Sequence, residues 1–185
     1  MGLSENRKLA WAVLAACVLG SVVGFGGGHL VREQNAVMKV FYEGAEKGTT
    51  RESMDAYLDR AADCAQVMAS EAQLRFGADN AAAAQMLDAL GDFGDDDGLD
   101  ARYNAYTTLQ SLSDQLYNLF YADGVADADR VNFKRAYDDF WGADKFVRRD
   151  AYREMARDFN DSLDGFPASA VAGLLGVNEL NSFGA

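Results

Sequence analysis

The chain has 185 residues, with 29 acidic side chains against 17 basic ones and a formal net charge of −12. That length holds one domain plus an anchor and not comfortably two domains. The charge excludes a nucleic-acid partner and an anionic-lipid ligand, both of which repel it, while leaving solubility or a basic protein partner as its use.

A single proline favours long uninterrupted helices. The two cysteines, Cys17 and Cys64, form neither a disulfide framework nor a Cys-x-x-Cys metal site. After a short flank at 1–8, LAWAVLAACVLGSVVGFGGG (Leu9 to Gly28) runs for twenty residues without a charge. As a helix rising about 1.5 Å per residue it is about 30 Å long, the thickness of a bilayer core. A transmembrane helix over 9–31 is therefore expected, with the lone histidine, His29, at the membrane interface. Two alternatives stand beside it. LAAC (Leu14 to Cys17) has the form of a lipoprotein cleavage box that would make Cys17 a lipidated N-terminus, although the residues after it stay apolar. A cleaved secretory signal is the other, although the run is long for one. Arg7 and Lys8 favour an inside N-terminus while Arg32, Lys39 and Lys47 compete from the other flank, so charge leaves the side open.

Within the run Gly20, Gly24 and Gly28 recur every fourth residue, and Ala16 and Ala12 continue the stripe. Small residues at that spacing let membrane helices approach closely, so this face is the candidate site of self-association; frequent glycine in membrane helices is the plainer explanation.

Residues 32–165 read as a helical bundle. Val37, Val40 and Phe41 share one side of a continuing helix, interrupted at Gly48-Thr49-Thr50, with Thr50 and Ser53 as candidate caps. Met54, Tyr57, Leu58, Ala61, Cys64, Ala65, Met68 and Ala72 form the next stripe at three-and-four spacing. Gly77 to Asn80 reads as a turn, with Asp79 or Asn80 capping AAAAQMLDAL. GDFGDDDGLD (91–100) breaks the helical pattern and reads as a solvated connection; its acids fit no EF-hand register. Tyr106, Leu109, Leu112, Leu116 and Phe120 make a third stripe, ended by Asp123-Gly124. A fourth and longest helix is expected over about 127–164, carrying Val131, Phe133, Tyr137, Phe140, Trp141, Val147, Ala151, Met155, Phe159 and Leu163, with Asp144 intruding. Gly165 and Pro167 stop it. The expected fold class is all-α: a membrane helix, an antiparallel bundle of three to four long helices, and a short C-terminal cap at 166–185.

The aromatic stripes are expected as core. A di-iron or di-manganese bundle site needs two Glu-x-x-His motifs, and the single histidine also denies the domain a Ser/His/Asp or Cys/His centre. Catalytic, cofactor-binding and metal-ligating residues are thus all expected to be none. The enzymatic alternative is an all-carboxylate site on acids such as Asp95, Asp96 and Asp97, within a loop (Asp92 to Asp100) that a cation would bind.

The ending YREMARDFNDSLDGFPASAVAGLLGVNELNSFGA resembles the C-terminal signature of the LemA-like family. Tyr152, Asp158, Phe159, Asn160, Phe166, Pro167, Ala172, Gly173, Leu174, Gly176 and Phe183 stand at matching places. The layout is similar along nearly the whole chain, but the signature covers only the last 35 or so residues. Where that family carries a Pro-Asn pair early in the bundle, this chain has YLDRAADCAQVMAS, keeping Arg60 and Asp63 alone. The resemblance implies a bacterial membrane protein of structural or interaction type, with a small external N-terminus and the bundle inside the cell. The combined expectation is a single-pass cell-membrane scaffold or interaction module, homo-oligomeric, with an acidic face for a protein partner. The segment Ala168 to Leu175 is expected to fold back as a lid on the bundle, with the membrane or a neighbouring subunit as the alternative it lies against.

Overall fold

The computed structural model describes residues 7–45, 52–94, 98–122 and 125–184. Among them the chain is all-helical and contains no strand. Helix α1 (Arg7–Ser21) passes through one π-helical turn (Val22–Gly26) directly into α2 (Gly27–Glu43). The candidate span is thus part of one long rod: Ala10–Glu43, 34 residues, long and apolar enough to cross a membrane. The rod ends where Gly44 turns to φ +83° and its N–H bonds Val40 O, a conformation that glycine adopts without steric penalty. The expected break at Gly48-Thr49-Thr50 and the Thr50 cap lie outside the described residues, as do Asp95 to Asp97 and Asp123-Gly124.

Contacts divide the chain into two compact units, Val40–Glu154 with Asn181–Ala185, and Met1–Lys39 with Met155–Leu180. In the larger unit the helices are α3 (Met54–Phe76), α4 (Ala81–Gly94), α5 (Leu99–Phe120) and α6 (Val131–Val147), the last entered through a 3-10 turn at Asp127–Arg130. Local chemistry sets their starts. Ser53 Oγ accepts from Ala56 N–H at 3.2 Å and Asn80 Oδ1 from Ala83 N–H at 3.0 Å, each meeting one of the unpaired donors of a first helical turn. Gly77 closes α3 at φ +97°.

The faces follow the sequence stripes. Met54, Tyr57, Leu58, Ala61, Ala65, Met68 and Ala72 are buried on α3, and Tyr106, Leu109, Leu112, Leu116 and Phe120 on α5; Cys64 is half-buried. Burying a Phe, Leu or Met side chain contributes about 1.5–3 kcal/mol, so these stripes dominate the unit's stability. Alanines at 61, 65, 69 and 72 let neighbouring backbones come close to α3, which packs against α4, α5 and α6. Tyr57 stacks on Phe146 at 4.7 Å, Asn132 donates to Glu71 at 3.1 Å and Arg75 pairs with Asp129 at 3.4 Å. Successive positions along α3 thus meet receding ones along α6, and the two helices run in opposite directions.

Two elements differ from those expected. The proposed connection at 91–100 begins later, because α4 continues through Gly91, Asp92, Phe93 and Gly94. Phe93 supplies the reason: its ring is buried and lies 4.9 Å from the Arg102 guanidinium, so the helix is held past its glycines. The single helix over 127–164 is instead the 3-10 turn, α6 and a separate α7 (Ala151–Leu163), broken at Arg148–Asp150. Asp150 Oδ1 accepts from Tyr152 N–H at 2.9 Å and starts the new helix. The break also rephases the apolar stripe. Val147 and Tyr152, both buried, are five residues apart, which no straight helix places on one face. Val131 and Ala151, expected inward, are exposed, while Tyr137, Trp141 and Met155 are half-buried.

In the smaller unit, Gly165 (φ +103°) ends the α7 segment and Pro167 begins α8 (Ala168–Leu175), so the proline both stops one helix and starts the next. Gly176 (φ +68°) closes α8. Val171 and Ala172 are its buried residues, and the helix packs on the π-helical turn at Val22–Gly26.

Candidate functional site

The expected glycine face is only partly continuous. Ala16, Gly20 and Gly24 are exposed and Gly28 is half-buried; a Cβ added at Gly20 or Gly24 meets nothing within 4 Å, so both positions are open to a neighbour. At Gly28 the Arg32 side chain folds back, its Nε–H donating to Gly28 O at 2.8 Å. The π-helical turn contains Gly24. Bonding to i+5 widens that turn, so residues four apart no longer stack and the stripe shifts sideways across it. Gly27, outside the stripe, is where another helix comes closest. A Cβ there would overlap Leu175 Cδ1 and lie 3.4 Å from Val171 Cγ1. The overlapping atom is the tip of the Leu175 side chain, so the bare Gly27 gives α8 room to lie close.

Cys17 lies inside α1, where Ser21 Oγ–H donates to its carbonyl at 2.8 Å. His29 is exposed, with Nδ1 3.3 Å from Glu33. The Asp95, Asp96 and Asp97 carboxylates are outside the described residues. Among those described, no group of three His, Cys, Asp or Glu side chains is arranged to hold a metal ion.

The residues behind the LemA-like resemblance do two different jobs. One group holds the tail. Asn160 Nδ2–H donates to Leu180 O, and Leu180 N–H donates back to Asn160 Oδ1, both at 2.8 Å, so one amide side chain satisfies both backbone groups of residue 180. The buried Tyr152 donates through its hydroxyl to Asn181 O at 2.8 Å. Its ring meets those of Phe41 at 5.0 Å and Phe183 at 6.3 Å edge-on, and Tyr103 completes the socket around Phe183 at 5.4 Å. Phe183 holds φ +51°, rare for a residue with a Cβ. Asn181 Oδ1 accepts its N–H at 2.8 Å, and the aromatic contacts offset the strain. Arg153, absent from the sequence reading, donates to Ser182 O and Gly184 O at 3.2 and 2.6 Å. The other group points away. Phe166 is 89% and Leu174 73% exposed, Pro167 and Gly173 are exposed, and Gly176 serves the turn alone.

Two polar knots lie inside the larger unit. Asp144 is 4% exposed and accepts from Tyr106 Oη at 2.8 Å, Gln110 Nε2 at 2.6 Å and Arg148 Nε at 2.6 Å. Burial, then the Asp144 hydrogen bond, pushes the Tyr106 phenol well above its ordinary range. Arg102 forks to Asp55 and Asp59 at 2.5 Å each, above the ring of Phe93 and 5.8 Å from that of Phe41. Burial raises the Asp59 carboxyl despite the arginine, which opposes the shift. Sequence showed Asp144 only as an acid in an apolar stripe, and showed no sign of the Arg102 fork.

A groove of about 420 Å³ between α3 and α6 is lined by Arg60, Cys64, Val67, Arg135 and Asp139 among others. Burial pushes the Cys64 thiol up to about 11, with Asp139 and Asp63 adding to it, so it is protonated and a poor nucleophile near neutrality. The Asp144 carboxylate is met by its three donors, whereas Arg102, paired through its two terminal nitrogens, keeps a buried Nε without a hydrogen-bond partner.

No family model matches the chain, and no curated protein or solved structure matches it.

Proposed function

We propose that this protein is a single-pass membrane-anchored helical scaffold of the bacterial cell envelope, related to the LemA-like proteins, self-associating and offering an acidic face to a protein partner. The observation that carries the reading is the exposure of Trp11, Leu14, Val18 and Phe25 along the rod from Ala10 to Glu43. Side chains of that size left in water forgo about 1.5–3 kcal/mol each, and a bilayer covers all of them at once. The α3–α6 helices then form an antiparallel bundle outside the membrane, tied internally by the Asp144 and Arg102 knots. Open space over Gly20 and Gly24 favours a helix–helix contact there.

Fractionation tests the anchor: the full chain is expected in the membrane pellet and to resist a urea wash, and release into the supernatant would overturn the reading. Mass spectrometry of the mature N-terminus separates the transmembrane form, which starts at Met1 or Gly2, from a lipoprotein starting at an acylated Cys17. Stoichiometric metal in the purified protein would instead favour a carboxylate-based metal site or enzyme.

A further inference from the structure

The segment from Gly165 to Asn178 contains fourteen residues without a charge, too few to span a bilayer. Its helix α8 buries Val171 and Ala172 and leaves Leu174 and Leu175 exposed, with Phe166 exposed just before it. Among the described residues Phe166 and Leu174 are left open and Leu175 is covered on one side only, and the place of α8 along the rod is fixed. Val171 and Leu175 seat on Gly27, and Gln34 Nε2–H donates to Asn178 O at 3.2 Å, so the tail runs beside residues 27 to 34. The uncharged run Leu9 to Gly28 has its midpoint at Val18 and Leu19. Gly27 is nine residues beyond Val18, about 14 Å along a helix axis, while half a hydrocarbon core is about 15 Å.

We infer that α8 is a second membrane-contacting element, which inserts Phe166, Leu174 and Leu175 shallowly at the boundary between headgroups and acyl chains beside the anchor. The inference rests on the reading of the N-terminal helix as that anchor. The occupant of the exposed face is the bilayer because the depth of α8 along the rod coincides with the edge of the apolar run. The charged residues flanking the segment along the chain, Asp161, Asp164 and Glu179, are all acidic, and the Arg32 guanidinium on the adjoining helix is turned back onto Gly28 O. Contact is therefore by apolar insertion into zwitterionic lipid and not by attraction to anionic headgroups.

The test uses the full chain with Cys17→Ser and Cys64→Ser, reconstituted in phosphatidylcholine vesicles and labelled with an environment-sensitive fluorophore at Leu174→Cys. Phe166→Cys is the second position, Val18→Cys reports on the anchor, and Asn118→Cys on the exposed side of α5 is the control. Positions 174 and 166 are expected to be quenched at least about twofold more than 118 by phosphatidylcholine carrying a shallow acyl-chain nitroxide. They should respond less to a deep nitroxide, and position 18 should show the reverse order. Quenching at 18 with 174 and 166 behaving like 118 overturns the α8 inference alone. If 18 is also unquenched by lipid, the anchor falls with it. Shielding of 174 from aqueous iodide without quenching by lipid means that protein covers α8, and likewise overturns the inference.

Discussion

Replacing Asp144 probes the larger unit most directly, because its carboxylate is buried while its partners differ in their access to water. In Asp144→Ala the Tyr106 hydroxyl, itself buried, loses its acceptor; an orphaned buried polar group costs about 1–3 kcal/mol. Gln110, half-buried, adds about 1 kcal/mol for its lost hydrogen bond. Arg148, whose side chain is 59% exposed, turns to solvent and contributes little. The expected loss is about 2–4 kcal/mol. Urea unfolding of the full chain in detergent, followed by circular dichroism, should show the midpoint falling by about 1–2 M at a slope near 2 kcal/mol per M. Removing Asp144 and its fully buried donor together, as Asp144→Leu with Tyr106→Phe, should recover the Tyr106 share of the loss, about 1–3 kcal/mol, leaving the half-buried Gln110 as the one inward donor without its acceptor. A single Asp144→Ala variant within about 0.5 kcal/mol of the parent would refute the reasoning, as would strict additivity of the two sites.

Other perturbations reach the remaining features. Arg102→Lys keeps the charge but not the fork across Asp55 and Asp59 or the flat contact over Phe93, so it should lose about 1–2 kcal/mol in the same urea assay. The folded-state thiol of Cys64 lies near 11 against an ordinary 9, so unfolding releases its proton between those values. That contribution is complete below pH 9 and lost as pH rises through about 11; in thermal melts, Cys64→Ala should flatten the alkaline decline, and an unchanged slope would count against it. Gly24→Leu adds bulk in open space, so it should leave helicity unchanged while weakening the proposed self-association in a membrane two-hybrid assay; full association would remove the glycine face from the proposal. Gly27→Leu drives a side chain into Leu175 and should expose α8 to limited proteolysis, an effect Gly24→Leu should not share.

Local and periodic features were legible in the sequence. Ser53 and Asn80 cap their helices because a short polar side chain before an apolar stripe has a first-turn donor within reach wherever it occurs. The stripes on α3 and α5 are buried because helical spacing alone gathers them on one side. The break at 148–150 was harder: every residue from 131 to 163 tolerates a helix, and only the burial of Tyr152 in place of Ala151 shows that the stripe changes phase. A helix terminus fixed by which face must be inward is a tertiary decision.

The sequence by itself determined that this chain is helical and that its first helix is long and apolar enough to cross a membrane. Composition, length and a 3.6-residue period carry both facts along one stretch of chain. Tertiary structure alone decided that Gly27 receives α8 while Gly24 stays open, and that Asn160 and Tyr152 hold the tail. It alone placed Asp144 in reach of Tyr106, 38 residues away. Those outcomes depend on which distant segment arrives at a surface, and a one-dimensional pattern names the surface without naming the arrival.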